Sequence, residues 1–87
     1  MTMYPIPEIE QKRLDNNFTY HKPFGDQQDR YVEMRAEAKG LAETFERCCP
    51  PSRELSVALT NLEQAVFWAN AAIARNEMEP NQPMSAD

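Results

Sequence analysis

With 87 residues the chain has room for one domain, and a domain of this size buries only about 60% of the surface its unfolded form exposes, so association is a natural source of added stability. Nine Lys plus Arg against fourteen Asp plus Glu leave a formal charge of −5, which argues against a nucleic acid duplex as partner, because such binding neutralises many phosphates with a basic face. There is no apolar run of about 18 residues for a membrane span and no basic-then-apolar leader before a small-residue cleavage site, so the expected location is the cytosol, with no membrane partner.

Residues 1–26 carry Pro5, Pro7, Pro23 and Gly25, so this arm has space for one short helix, from Pro7 to Asn16, with Pro7 in its first turn. Phe18 to Phe24 then reads as extended chain. Asp26 is placed to cap the next helix, where Tyr31, Met34, Ala38, Leu41, Phe45 and Cys48 repeat at alternating steps of three and four and form one apolar stripe. Cys48 and Cys49 are adjacent, poorly placed for a loop-closing disulfide and without a zinc-site spacing, so they read as reduced helix-end residues.

Pro50 and Pro51 stop this helix, Ser52 offers a side-chain cap for the following one, and Glu54 suits its positive end. Two helices joined by so short a link fold back as an antiparallel hairpin. In the second long helix, Ser52 to Asn76, a stripe of Leu55, Leu59, Leu62, Val66, Ala69 and Ile73 can face the first. At about 100° per residue, Val57, Asn61, Trp68 and Ala71 fall on nearly the opposite side. One partner helix covers only one of two such faces, so these four residues are the expected interface of a compact homo-oligomer; the alternative is an arm folded over Trp68 in a monomer.

The fold class is therefore all-α: a short N-terminal helix or arm plus a two-helix antiparallel hairpin, in a single domain over 1–76, with 77–87 as a disordered tail. No internal repeat is present.

Little here suits catalysis, and the chain is read as a non-enzyme with no cofactor. His21 lacks carboxylates at ligand spacing, since Asp15 and Asp26 are separated from it by extended or turning chain, so no metal site is expected. A Cys49–His21 pair has nothing local to lower the thiol pKa. A Gly-rich phosphate loop is excluded, because Gly25 and Gly40 are the only glycines. What remains is a cluster with binding character: Phe18, Tyr20, His21 and Lys22 in the arm, then Arg30 and Arg35 on the helix after it. Aromatic faces stack on nucleobases and Arg offers forked donors to phosphate. The structural alternative is that Phe18 and Tyr20 pack the arm onto the hairpin while Arg35 pairs with nearby Glu residues.

Five segments together carry a resemblance: Phe18-Thr-Tyr-His-Lys-Pro-Phe-Gly-Asp-Gln, Arg30-Tyr-Val-Glu-Met-Arg, Pro50-Pro-Ser-Arg-Glu, Ala58-Leu-Thr-Asn-Leu-Glu and Phe67-Trp-Ala-Asn-Ala. In order and spacing, from Asn17 to Arg75, the chain resembles the phage anti-CBASS cyclic-nucleotide sponges, whose helical hairpin is shared with a class of phage anti-Thoeris sponges. The resemblance implies a hexamer of interlocked dimers that sequesters cyclic oligonucleotides in the cytoplasm of the infected bacterial host. The CBASS effector is thereby starved of its messenger, and no bond in that messenger is broken.

Residue by residue, the resemblance implies that Tyr20 stacks on a base of a cyclic dinucleotide at a protomer junction and that Arg35 meets its phosphate. The family pattern can have Lys at the second place, so Arg35 is a departure that keeps charge but changes reach. A separate site for cyclic trinucleotides near a threefold axis is implied on the second long helix, with Arg53, Ser56 and Thr60 nominated because they lie near one another on its early turns. Three other readings stay open: an anti-Thoeris sponge for cyclic ADP-ribose-type signals, a helical adaptor that binds a protein through the Trp68 face, and an enzyme that cleaves cyclic nucleotides.

Overall fold

A computed structural model describes residues 3–79, which form three α-helices: α1 (Glu8–Asn17), α2 (Gln27–Cys48) and α3 (Arg53–Asn76). No strand occurs among the described residues. All three helices fall within a residue or so of their expected bounds, and α2 and α3 pack on each other as the hairpin. The expected tail lies outside the described residues from 80 onward.

Each boundary has a local cause. Pro7 stands just before α1 and its carbonyl accepts from the Gln11 amide at 2.9 Å, while Glu8 and Glu10 sit in the electropositive first turn. Gly25, at φ +56°, makes the turn into α2, a backbone region that side chains with a Cβ rarely adopt. Asp26 occupies the position before α2 but does not cap it; its carboxylate takes Arg30 instead, at 3.1 Å from Nε. Arg30, one turn downstream, pairs with the carboxylate as a full opposite charge, with N···O 3.0 Å, and draws it away from the backbone amides.

At the hairpin tip the Ser52 hydroxyl accepts from the Leu55 amide at 3.2 Å and donates to the Pro50 carbonyl at 3.0 Å, as its position in the sequence predicts. Leu55, only 7% exposed, is the most buried apolar residue described, so this cap fixes the residue on which the hairpin closes. Ser52→Ala is expected to cost about 1 kcal/mol, lowering the melting temperature by roughly 4–8 °C in a circular-dichroism melt. No loss would mean that packing alone sets the start of α3.

On α3 the whole expected stripe is buried or half-buried. On α2, Tyr31, Met34, Ala38 and Phe45 face the partner, but Leu41 (44% exposed) and Cys48 do not, and Ala42 takes the inward place. An alternation of three and four has a period of 3.5, and a straight helix drifts from it by about 20° per heptad, which turns the later members outward.

The resulting body is thin. It is 13 Å deep, one helix layer, with a radius of gyration of 18.0 Å where a compact domain of this length would have about 12 Å. No large side chain among the described residues is fully buried. The exposed surface is 7516 Å², against roughly 5,300 Å² for a compact monomer of this mass.

Candidate functional site

The arm leaves α1 at Phe18 and reaches α2 at Gln27; Phe18 and Tyr20 project outward, while Phe24 is half-buried. Phe18 is 85% exposed and Tyr20 81% exposed, so neither packs the arm onto the hairpin. The arm also leaves Trp68 uncovered, at 65% exposure. His21 is half-buried and donates through Nε2 to the Asn16 carbonyl at 2.8 Å, closing the arm back on the end of α1. Lys22 is exposed.

Arg35 projects from α2 at the rim of a groove of about 510 Å³ between the two long helices, floored by Ala38, Leu59, Leu62 and Val66. No carboxylate lies within ion-pair distance of Arg35 among the described residues, so the expected alternative of surface pairing with Glu does not occur there. Five further groove residues were not nominated from the sequence: Lys39, Ala42, Glu63, Phe67 and Asn70, of which Glu63 brings a carboxylate to the same groove. Lys39 sits one turn after Arg35 and adds a second cation. Phe67, 65% exposed, stands at an angle between the core stripe of α3 and the Trp68 face, where neither stripe recruits it. Asn70 lies on the inward side, and its Oδ1 is buried with no hydrogen-bond partner among the described residues. A polar residue breaking an apolar stripe beside an aromatic one was the available signal.

No arm residue lines this groove, so a single chain does not bring Tyr20 and Arg35 into one pocket. The nominees Arg53, Ser56 and Thr60 are all exposed near the hairpin tip, and the Ser56 hydroxyl donates to the Ser52 carbonyl at 3.3 Å. Arg35 stands thirteen residues before the end of α2, about 20 Å from that tip along the helix axis. The two sets are therefore separate within one chain. Val57 (43% exposed), Asn61 and Trp68 form an open outer face on α3, while Ala71 is half-buried. Arg75 lies over the Trp68 ring at 5.7 Å from its centre, a cation–π contact on that face.

Arg30, expected among the phosphate cations, is engaged by carboxylates of the chain itself. It donates through both terminal nitrogens to the two oxygens of Glu77 at 2.7 Å and also pairs with Asp26 at 3.0 Å. Glu77, the first residue of the expected tail, is thus tied down. The Arg30 fork, and after it the Gln27 amide, hold the Glu77 carboxyl down at about 2, from an ordinary 4.5, while the bond to Glu77 raises Arg30 further. A depressed carboxyl pKa contributes stability that is full above the unfolded value and lost as pH falls through the folded one. The melting-temperature difference between the native chain and Glu77→Gln is therefore expected to hold from pH 7 to about 4.5 and to vanish towards pH 2. A difference that persists at pH 2 would assign the effect to packing.

Among the described residues, no group of His, Cys, Asp and Glu is gathered as a metal site, and Cys48 and Cys49 are free and exposed. None of the described helices is long and apolar enough to cross a membrane.

Residues 10–74, more than two thirds of the chain, match the family model described as Acb2/Tad1, hairpin domain. No curated protein and no solved structure matches the chain.

Proposed function

The chain belongs to the Acb2/Tad1 hairpin family, that of the anti-CBASS and anti-Thoeris sponges, and from this premise we propose that it captures cyclic oligonucleotide messengers intact in the cytoplasm of an infected host, so that the CBASS effector is not activated. The observation that carries the reading is the state of Tyr20 and Arg35. One is an aromatic face held in solvent, the other a guanidinium with no carboxylate partner among the described residues, and Tyr20 does not line the groove at which Arg35 stands.

A cyclic dinucleotide needs both features at once, a stacking face for a base and forked donors for a phosphate. A second copy supplying the missing half completes the site, with Phe18, His21 and Lys22 beside Tyr20. The surface in excess of a compact monomer, roughly 2,200 Å² on one chain, is more than the about 800 Å² that each partner gives to a standard protein–protein interface. The outer face of Val57, Asn61, Trp68 and Ala71 supplies a second contact, and two different contacts per chain are what a closed assembly such as a hexamer requires. Capture at messenger concentration asks for nanomolar affinity, about −12 kcal/mol, and enclosure between protomers favours it by strengthening each Arg contact away from water and salt.

The test mixes the purified protein with cyclic dinucleotides, cyclic trinucleotides and cyclic ADP-ribose-type molecules, removes the unbound fraction, heats the protein and identifies what is released. Intact cyclic dinucleotide is expected. Release of only the ADP-ribose type would move the chain to the anti-Thoeris side of its family, and altered products would establish cleavage. Arg53, Ser56 and Thr60 are proposed as a second site, for trinucleotides. Competition calorimetry is expected to show trinucleotide binding undiminished by saturating dinucleotide, whereas mutual exclusion would mean one shared pocket.

A further inference from the structure

The end of α3 holds the Tyr20 arm from both sides. Upstream, the Arg75 carbonyl accepts from Asn16 Nδ2 at 3.0 Å, and the Asn16 carbonyl in turn accepts from His21, the neighbour of Tyr20. Downstream, Glu77 Oε1 accepts from Gln27 Nε2 at 3.1 Å, and Gln27 Oε1 accepts from the Phe24 amide at 3.1 Å. Gln27 is 2% exposed, the most buried polar residue described, so this relay is shielded from competing water. Between Asn16 and Phe24 run seven residues, Asn17 to Pro23; His21 is itself tied back to Asn16, so only Lys22 and Pro23 separate it from Phe24, and the proline ring narrows what backbone freedom is left.

Arg30 closes the arrangement. It engages two carboxylates, which leaves its immediate surroundings with a net charge of about −1 and most of its five donors occupied. A phosphate arriving there would meet net repulsion.

We propose that Glu77, with Arg30 as its cation and Gln27 as its relay, is a positioning residue that holds the arm in place for ligand, and that Arg30 is not a phosphate contact. The proposal rests on the sponge reading. An arm ordered before the ligand arrives does not have to be ordered by it, and binding is tighter by that saving.

The two roles of Arg30 give opposite signs for one substitution. Glu77→Gln breaks the ionic fork and removes a negative charge. If Arg30 were a phosphate contact, this would free it and affinity for an anionic ring would hold or rise. Under the proposal, exchange of the Phe24 amide, which donates to Gln27, accelerates about tenfold while the centres of α2 and α3 stay protected, and calorimetric affinity for cyclic di-AMP or cyclic di-GMP falls about fivefold. Arg30→Gln is expected to match it, and the double variant to be no weaker than the worse single one, since both remove one contact. Unchanged or tighter binding in Glu77→Gln, additive losses in the double variant, or a lower melting temperature with unaltered affinity would each overturn the proposal. If the native chain binds no cyclic nucleotide, the sponge reading fails by itself, and the exchange measurement still decides the anchor: unaltered protection of the Phe24 amide in Glu77→Gln overturns it.

Discussion

Trp68→Glu is expected to take the protein apart into single chains. Trp68 is 65% exposed on a body one helix layer thick, next to Phe67 at the same exposure, and Arg75 lies over its ring. Within one chain, then, the substitution disturbs little packing. In an assembly that uses this face, truncating a buried Trp alone costs about 2 kcal/mol or more, and an unpaired carboxylate left in its place costs about 3–5 kcal/mol. At about 1.4 kcal/mol per decade, the upper part of that range weakens a contact by roughly a thousandfold, enough to turn a nanomolar association micromolar. Sedimentation velocity at micromolar protein is expected to show a homo-oligomer for the native chain and monomer for the variant, with Trp68→Ala in between. A native chain that sediments as a monomer would leave the outer face of α3 free for a different protein and favour the adaptor reading.

Next in size is the loss of ligand at the arm. Tyr20→Ala and Arg35→Ala are each expected to weaken cyclic dinucleotide binding at least tenfold. Tenfold is about 1.4 kcal/mol, within the reach of one lost base stack or one charge-assisted contact. Because Tyr20 is 81% exposed and no carboxylate pairs with Arg35 among the described residues, the fold should be indifferent, and melting temperatures are the control. Arg35→Lys is expected to retain part of the affinity, keeping charge and losing the fork. Native calorimetric affinity in both alanine variants would place the site elsewhere.

What could be read from the chain was local. Pro7, the Pro50–Pro51 pair and Ser52 each act on the few residues around them, so the helix ends and the cap on Leu55 follow from spacing alone. The outward arm was legible only as composition, since Phe18 and Tyr20 suit a small packing cluster as well as a stacking platform. Asp26 is drawn from its capping place by Arg30, four residues on, a local competition that spacing alone does not rank, while the Arg30–Glu77 pair, forty-seven residues apart, is a contact that no local pattern announces. Nothing in the non-periodic segment after Asn76 marks its first residue as an anchor. Phe67 and Asn70 carry part of the resemblance but were not nominated for a site, because a helical wheel sorts residues into two faces, whereas the groove lies along the boundary between them.

A slab 13 Å deep gives every side chain a short path to water, so protein concentration becomes part of its stability. If copies supply the cover that the fold lacks, folding and association merge into one equilibrium, and the melting temperature is expected to climb as the solution is made more concentrated. The same coupling shapes dose. If a site takes Tyr20 from one copy and Arg35 from another, capture sites accumulate below the assembly threshold as a power of protomer number, not in proportion to it. Early in expression the protein would be nearly inert, and past a threshold its capacity would rise steeply, in the manner of a titrating switch.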